Sequence, residues 1–285
     1  MRSLSRQTSA AFALQAGGVG LRYAGQVLLA RWMGANAFGA YTYATNVAQV
    51  VANPCDLGGA SSGMRFVPQY ETEQHHDLLA GVVRTLQVVP VVLGTIVAAI
   101  AIALSAEFGT GGVSFSVMAI SLATVPLLIL SDVQTTVARG FHHIAGAFGP
   151  PLVIQPILVT GAAGAGLVAF GELTAPQASL LTAVALFAVV AIQTAIVHGV
   201  RRSRVPRVRR RYAPREWLQV SLPMLLTNVV QLVAQRLDVV MVGVFLGAKA
   251  AGVYAVAFRT AGLVSLLQTA INATAGPRMS HLHWA

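Results

Sequence analysis

Three arginines, Arg22, Arg236 and Arg259, stand inside apolar stretches of the chain. A charge at the middle of a lipid-embedded helix costs about 2.5–3.5 kcal/mol on insertion scales, so such residues are functional candidates by default. Guanidinium keeps its charge when partly desolvated and donates in a planar fork, which suits a phosphate or diphosphate. Gln26 and Asn46 add neutral polar groups at neighbouring depths, with Gln49, Gln231 and Gln235. Together these residues make a candidate anion-binding cavity: Arg22, Gln26, Asn46, Arg236 and Arg259. The competing reading is structural, with each arginine satisfied by an acid or by backbone carbonyls between helices. Asp238 is a candidate counter-ion or ion site. It lies two residues from Arg236, about 200° around a helix, so the two cannot share a face.

The remaining reactive residue types carry less. Cys55 is the one cysteine, which excludes a disulfide framework, and reads as a small buried apolar residue. The seven histidines, including His75-His76 and His142-His143, have no acidic or cysteine ligands at metal spacing and read as solvated. Asp56 and Asp132 read as solvated caps at span ends. The glycines of GAAGAG, Gly161 to Gly166, follow no strand and read as a helix-packing surface rather than a phosphate loop. No cofactor or metal is expected.

The elements that must position these residues are helices. The chain is 285 residues long, 55% hydrophobic and 10% charged, with mean hydropathy +0.69; a soluble domain carries roughly 25% charged residues. Five charge-free stretches, Trp32 to Cys55, Thr85 to Ala106, Phe108 to Ser131, Gly140 to Gly171 and Leu173 to Val200, each exceed the roughly 20 residues that cross a bilayer. Three more apolar segments carry one or two charges: Ala10–Met33, Trp217–Leu246 and Ala250–Ile271. The fold class is therefore all-α, a polytopic membrane bundle of about eight transmembrane helices joined by short polar turns. If the N-terminus is cytoplasmic, fourteen arginines fall on the inner side, and Lys249 and Arg31 on the outer. That bias puts both termini in the cytoplasm. Residues 1–200 form a six-helix lobe, 201–216 a basic cytoplasmic linker and 217–285 the first two helices of a second lobe. The net charge of +10 is explained by this topology, so no nucleic-acid partner is expected. The run Arg201 to Tyr212 is expected to anchor topology and to meet anionic membrane lipids.

A repeat supports the two-lobed division. MGANAFGAYTYA (Met33 to Ala44) and LGAKAAGVYAVA (Leu246 to Ala257) share six identities in eleven positions at an offset of 213: Gly34/Gly247, Ala35/Ala248, Ala37/Ala250, Gly39/Gly252, Tyr41/Tyr254 and Ala44/Ala257. Each copy joins two spans by an outer turn, so the repeats are parallel, related by an axis along the membrane normal. At 1.5 Å per residue, Arg22 lies roughly 18 Å and Arg236 roughly 16 Å inward of those glycines. Arg259 is matched by Asn46 in the second span. A first half of six spans predicts a second of at least six, of which two are present, so the chain is expected to be a C-terminally truncated form.

The stretches LRYAGQVLLARWMGANAFGAYTYA and LPMLLTNVVQLVAQRLDVVMVGVFLGAKAAGVYAVAFRTAGLV resemble spans one–two and seven–eight of bacterial oligosaccharide flippases, which handle O-antigen and capsular polysaccharide precursors. These belong to the multidrug/oligosaccharidyl-lipid/polysaccharide exporter superfamily. The resemblance covers essentially the whole chain. It implies a multi-pass transporter of the bacterial cytoplasmic membrane, with two lobes around a central cavity. The activity it implies is alternating-access flipping of a polyprenyl-diphosphate-linked oligosaccharide, with that lipid-linked glycan and the rest of the second lobe as partners. A cation-coupled multidrug or small-molecule exporter of the same superfamily is the alternative. An enzyme is not expected, because the acidic metal motif or long outer loop of a membrane glycosyltransferase or polymerase is missing.

Overall fold

A computed structural model describes residues 2–110, 112–206, 208–258 and 260–261. It is an all-helical bundle, with no strand among the described residues. The helices are α1 (Arg2–Cys55), α2 (Gly59–Thr72), α3 (His76–Phe108), α4 (Phe115–Ala123), α5 (Val125–Gly140), α6 (Ile144–Gly149), α7 (Gln155–Phe170), α8 (Ala175–Arg204), α9 (Pro214–Leu246) and α10 (Ala248–Phe258), with a π-helical turn at Pro150–Ile154. Four helical stretches are long and apolar enough to cross a membrane: His76–Phe108, Phe115–Gly140, Ile144–Ala169 and Ala175–Arg204. The chain is a helical membrane bundle.

α1 is two helices joined at Gly34, whose φ of 73° and ψ of 168° lie in a region essentially confined to glycine. Upstream of it, Gly18, Gly25 and Trp32 meet Leu152, Thr160 and Gly164 in ascending order, so this first span runs parallel to α7. Downstream, Tyr43 meets Gly243, and Gly58, just past the end of α1, meets Ser221, so the second span runs antiparallel to α9. The same corner recurs at Gly247, with φ 85° and ψ 167°, between α9 and α10. The repeat seen in the sequence is thus a repeat of backbone geometry.

Three differences from the sequence reading have physical causes. Charge-free gaps understate helix length: α3 begins at His76 and α5 runs to Gly140, because helices continue through the headgroup layer carrying Asp77, Arg84 and Arg139. A turn was expected between the second and third spans, yet Gly59–Thr72 is a helix with one apolar face, burying Phe66, Val67 and Tyr70. The close helix packing expected of GAAGAG is made elsewhere. Gly161 and Gly166 face open space and only Gly164 meets a neighbour, the Trp32 ring, whereas Gly18 and Gly25 admit Leu152 and Thr160.

The segment after α8 lies pinned against α2 and α3. Arg204 Nη1 donates to Glu71 Oε1 (3.1 Å) and to the Phe141 carbonyl (3.0 Å), and the Arg211 amide donates to the Asp77 carbonyl (3.1 Å). Trp217, at the start of α9, is buried and donates its Nε1–H to the Tyr70 hydroxyl (3.1 Å), which donates in turn to Glu216 (3.4 Å). Burial pushes the Tyr70 phenol up, partly offset by the bond from Trp217.

Candidate functional site: an arginine seated on a proline-opened helix

Proline has no amide hydrogen, so each proline in a helix leaves the carbonyl four residues before it without a donor. Pro150, Pro151 and Pro156 do this within seven residues at the start of the fifth span. Ala147, four before Pro151, has its carbonyl served instead by the Thr135 hydroxyl (3.3 Å). The Gln155 amide reaches back to Pro150, widening the turn to a π-helix. Pro151 then has no backbone donor: Gln155 is engaged and Pro156 has none to give. Arg22 Nη2 donates to the Pro151 carbonyl at 3.0 Å. One of five guanidinium N–H groups is thereby used to hold the side chain. The Arg22 side chain is exposed. Asp132 is exposed, as expected, but lies inside α5 rather than at its end, so it does not cap the helix. π-turns of this kind are frequent at functional sites.

Behind this seat lies a neutral polar ladder absent from the sequence reading. Ser131 Oγ donates to Gln193 Oε1 (2.9 Å), and Gln193 Nε2 donates to Thr135 Oγ1 (2.9 Å), the same hydroxyl that serves Ala147. Alongside, Gln87 Nε2 donates to Gln134 Oε1 (3.3 Å), and Gln134 Nε2 to Thr194 Oγ1 (3.0 Å). Gln134 and Gln193 are each 1% exposed. A buried amide without partners would be strongly destabilising; here each has them, tying α3, α5 and α8 together. The signal available in sequence was uncharged glutamine inside otherwise apolar spans.

The other candidates separate. Gln26 is half-buried on the same helix as Arg22. Asn46 is 2% exposed and donates Nδ2 to the Thr42 carbonyl of its own helix (2.8 Å), so it does not face open space. Asp238 accepts the Tyr254 hydroxyl of α10 at 3.0 Å and the Val239 amide at 2.7 Å. Arg236 lies in α9, with its side chain outside the described residues, and Arg259 lies outside them altogether. At the repeat offset, Arg236 stands in register with Tyr23, one residue and about 100° from the Arg22 position. The Tyr23 hydroxyl contacts Thr260 Oγ1 at 3.1 Å, across from the first span to the eighth. His143 accepts the Gly146 amide at 3.0 Å as the cap of α6, so it is not simply solvated. Among the described residues no group of histidine, cysteine and acidic side chains could hold a metal.

A family model described as polysaccharide biosynthesis protein matches residues 4–283. The chain belongs to the polysaccharide biosynthesis protein family. Two solved chains share this fold at low sequence identity. One is described as the MATE multidrug transporter DinF-BH in complex with R6G (15% identity, TM-score 0.65), the other as protein A (16% identity, TM-score 0.63). In each case 93% of this chain aligns to 61% of the other, so it spans under two thirds of their length. No curated protein matches. Membership in the family and a shared multidrug-transporter fold agree with the superfamily expected from the sequence.

Proposed function

We propose that this chain contributes the first lobe, and the opening hairpin of the second, to a transporter that flips a polyprenyl-diphosphate-linked oligosaccharide across the bacterial cytoplasmic membrane. The observation that carries this reading is Arg22, an exposed, charged fork whose Nη2 is held on the Pro151 carbonyl. A diphosphate needs such a fork: two or more N–H groups directed at clustered oxygens, in surroundings where charge is poorly screened. The sugar head would occupy the polar space between lobes while the polyprenyl tail stays in lipid. In this reading Arg22 and Arg236, one from each lobe, meet the anion from two sides.

Asp132 favours a second reading. An exposed carboxylate on the apolar helix α5 is also what a cation-coupled exporter of small molecules would use. The two readings differ in cargo and in what Asp132 does, and share the architecture.

The test is Arg22→Ala and Arg22→Lys in the chromosomal gene, with glycan export and membrane protein level measured together. Export falls at least tenfold in the alanine variant at unchanged protein level, with partial recovery in lysine, and Arg236→Ala behaves likewise. Undiminished export in Arg22→Ala, Arg236→Ala and the double variant rejects the diphosphate reading. Dye efflux lost in Asp132→Asn, with glycan export intact, selects the second.

A further inference from the structure

The stretch from Arg202 to Arg215 holds most of the positive charge at one end of the bundle, and it is held at points on either side of residue 207. Arg204 is committed to Glu71 and Phe141, and Val205 is buried. The Arg211 amide is bonded to Asp77, and the Arg211 carbonyl lies so close to Gly81 that a Cβ there would collide with it. The Tyr212 ring stands edge-on to Trp217, with centroids 6.5 Å apart. A strap held this way keeps its remaining side chains near those points. Arg202, Arg209, Arg210 and Arg215 are exposed, and none makes an ion pair among the described residues. Val208 and Tyr212, interleaved with them, are 39% and 53% exposed.

The level of the strap follows from α3. Its outward apolar residues run Val88, Val89, Val92, Ile96, Ile100, Leu104 and Phe108. Val88 to Phe108 spans about 30 Å of helix, the thickness of the hydrocarbon core. Gly81, on which the strap lies, is seven residues beyond Val88, about 10 Å further along the axis. The headgroup region extends about 5–7 Å beyond each face of the hydrocarbon core, so Gly81 lies just outside it, and a guanidinium on a flexible stem reaches back to the phosphate level from there.

We infer that the 202–215 strap is a built binding surface for anionic phospholipid headgroups, with Arg202, Arg209 and Arg210 on the phosphates and Val208 and Tyr212 in the interface. Free phosphates and acidic proteins would use the arginines, but neither has use for an exposed valine and tyrosine at this depth. The pinning distinguishes this strap from an ordinary basic linker. Where the backbone is held, its ordering cost is met on folding rather than on lipid binding. Lipid binding here is independent of what the transporter carries.

The experiment is titration of phosphatidylglycerol, and separately phosphatidylcholine, into the purified chain in neutral detergent, with bound lipid counted by native mass spectrometry. Each arginine at an anionic surface is worth about five-fold in affinity. Arg202→Gln/Arg209→Gln/Arg210→Gln should therefore weaken phosphatidylglycerol binding about a hundred-fold and leave phosphatidylcholine binding unchanged. The matching triple lysine variant restores it to within about ten-fold, and Lys249→Gln has no effect. Should the glutamine variant fail to fold by far-UV circular dichroism, the lysine variant and Tyr212→Ser carry the test, with Tyr212→Ser weakening binding severalfold. Unchanged phosphatidylglycerol affinity in the folded glutamine variant overturns the inference. So does equal occupancy by soluble diphosphate, which would make this an aqueous anion site.

Discussion

The hairpin of spans one and two and the hairpin of spans seven and eight begin from the same turn and end in different surroundings. Gly34 and Gly247 adopt nearly identical backbone angles. Gly39 and Gly252, equivalent in the repeat, pack backbone against backbone: a Cβ on Gly39 would strike the Ala248 carbonyl, and one on Gly252 would meet the Gly39 Cα. The two hairpins therefore meet at equivalent glycines. Beyond the turn the hairpins diverge. The Tyr41 hydroxyl contacts Thr182 of α8 at 3.0 Å, whereas Tyr254 donates to Asp238 of its own hairpin. The position equivalent to Asp238 is Gly25, which makes room for Thr160. A conserved backbone turn thus tolerates opposite solutions a few residues away: a gap for a neighbouring helix in one lobe, a carboxylate paired to a tyrosine in the other.

The largest expected effect tests the contact the hairpins share. Gly39→Leu inserts a side chain between two backbones that cannot retreat and should cost about 3 kcal/mol, the upper end of overpacking. It would be read as a lowered thermal unfolding temperature in detergent. A wild-type temperature would mean the two hairpins can separate freely there. Gly34→Ala and Gly247→Ala come next. Nothing lies within 4 Å of either Cβ position, so the penalty is purely conformational, about 2 kcal/mol for each. Equal losses bear out equivalent turns, and unequal ones break the comparison. Tyr254→Phe removes a hydrogen bond to a carboxylate and should lower the unfolding temperature by a smaller amount. Adding Asp238→Asn should then cost less than it does alone, which a double-mutant cycle measures. Tyr41→Phe, which loses a bond between neutral hydroxyls, should cost about 1 kcal/mol or less. If Tyr41→Phe is the more damaging of the two tyrosine variants, the distinction between lobes fails.

Much of the fold was legible in the sequence because lipid imposes a simple rule: a span must be about twenty apolar residues and must be helical. The spans, the turn glycines and the basic segment after α8 could all be read that way. The helix Gly59–Thr72 escaped because its apolar residues occupy one face only, with Arg65, Gln69 and Glu71 between them, so no charge-free run marks it. At the candidate site, Arg22 was legible from the cost of its charge in lipid. Its seat on Pro151 was not, because that depends on which carbonyl 129 residues away lacks a donor.

By itself, then, the sequence determined the membrane class, the helical spans and the equivalence of Gly34 with Gly247. Each follows from local composition, or from a backbone geometry that only glycine adopts. Tertiary structure alone decided that Arg22 is seated on the Pro151 carbonyl, that Asn46 is turned into the protein, and that Gln134 and Gln193 tie α3, α5 and α8 together. Those outcomes depend on which helix faces meet and on where each freed carbonyl or buried amide finds its partner, and a helix's own sequence does not specify its neighbours.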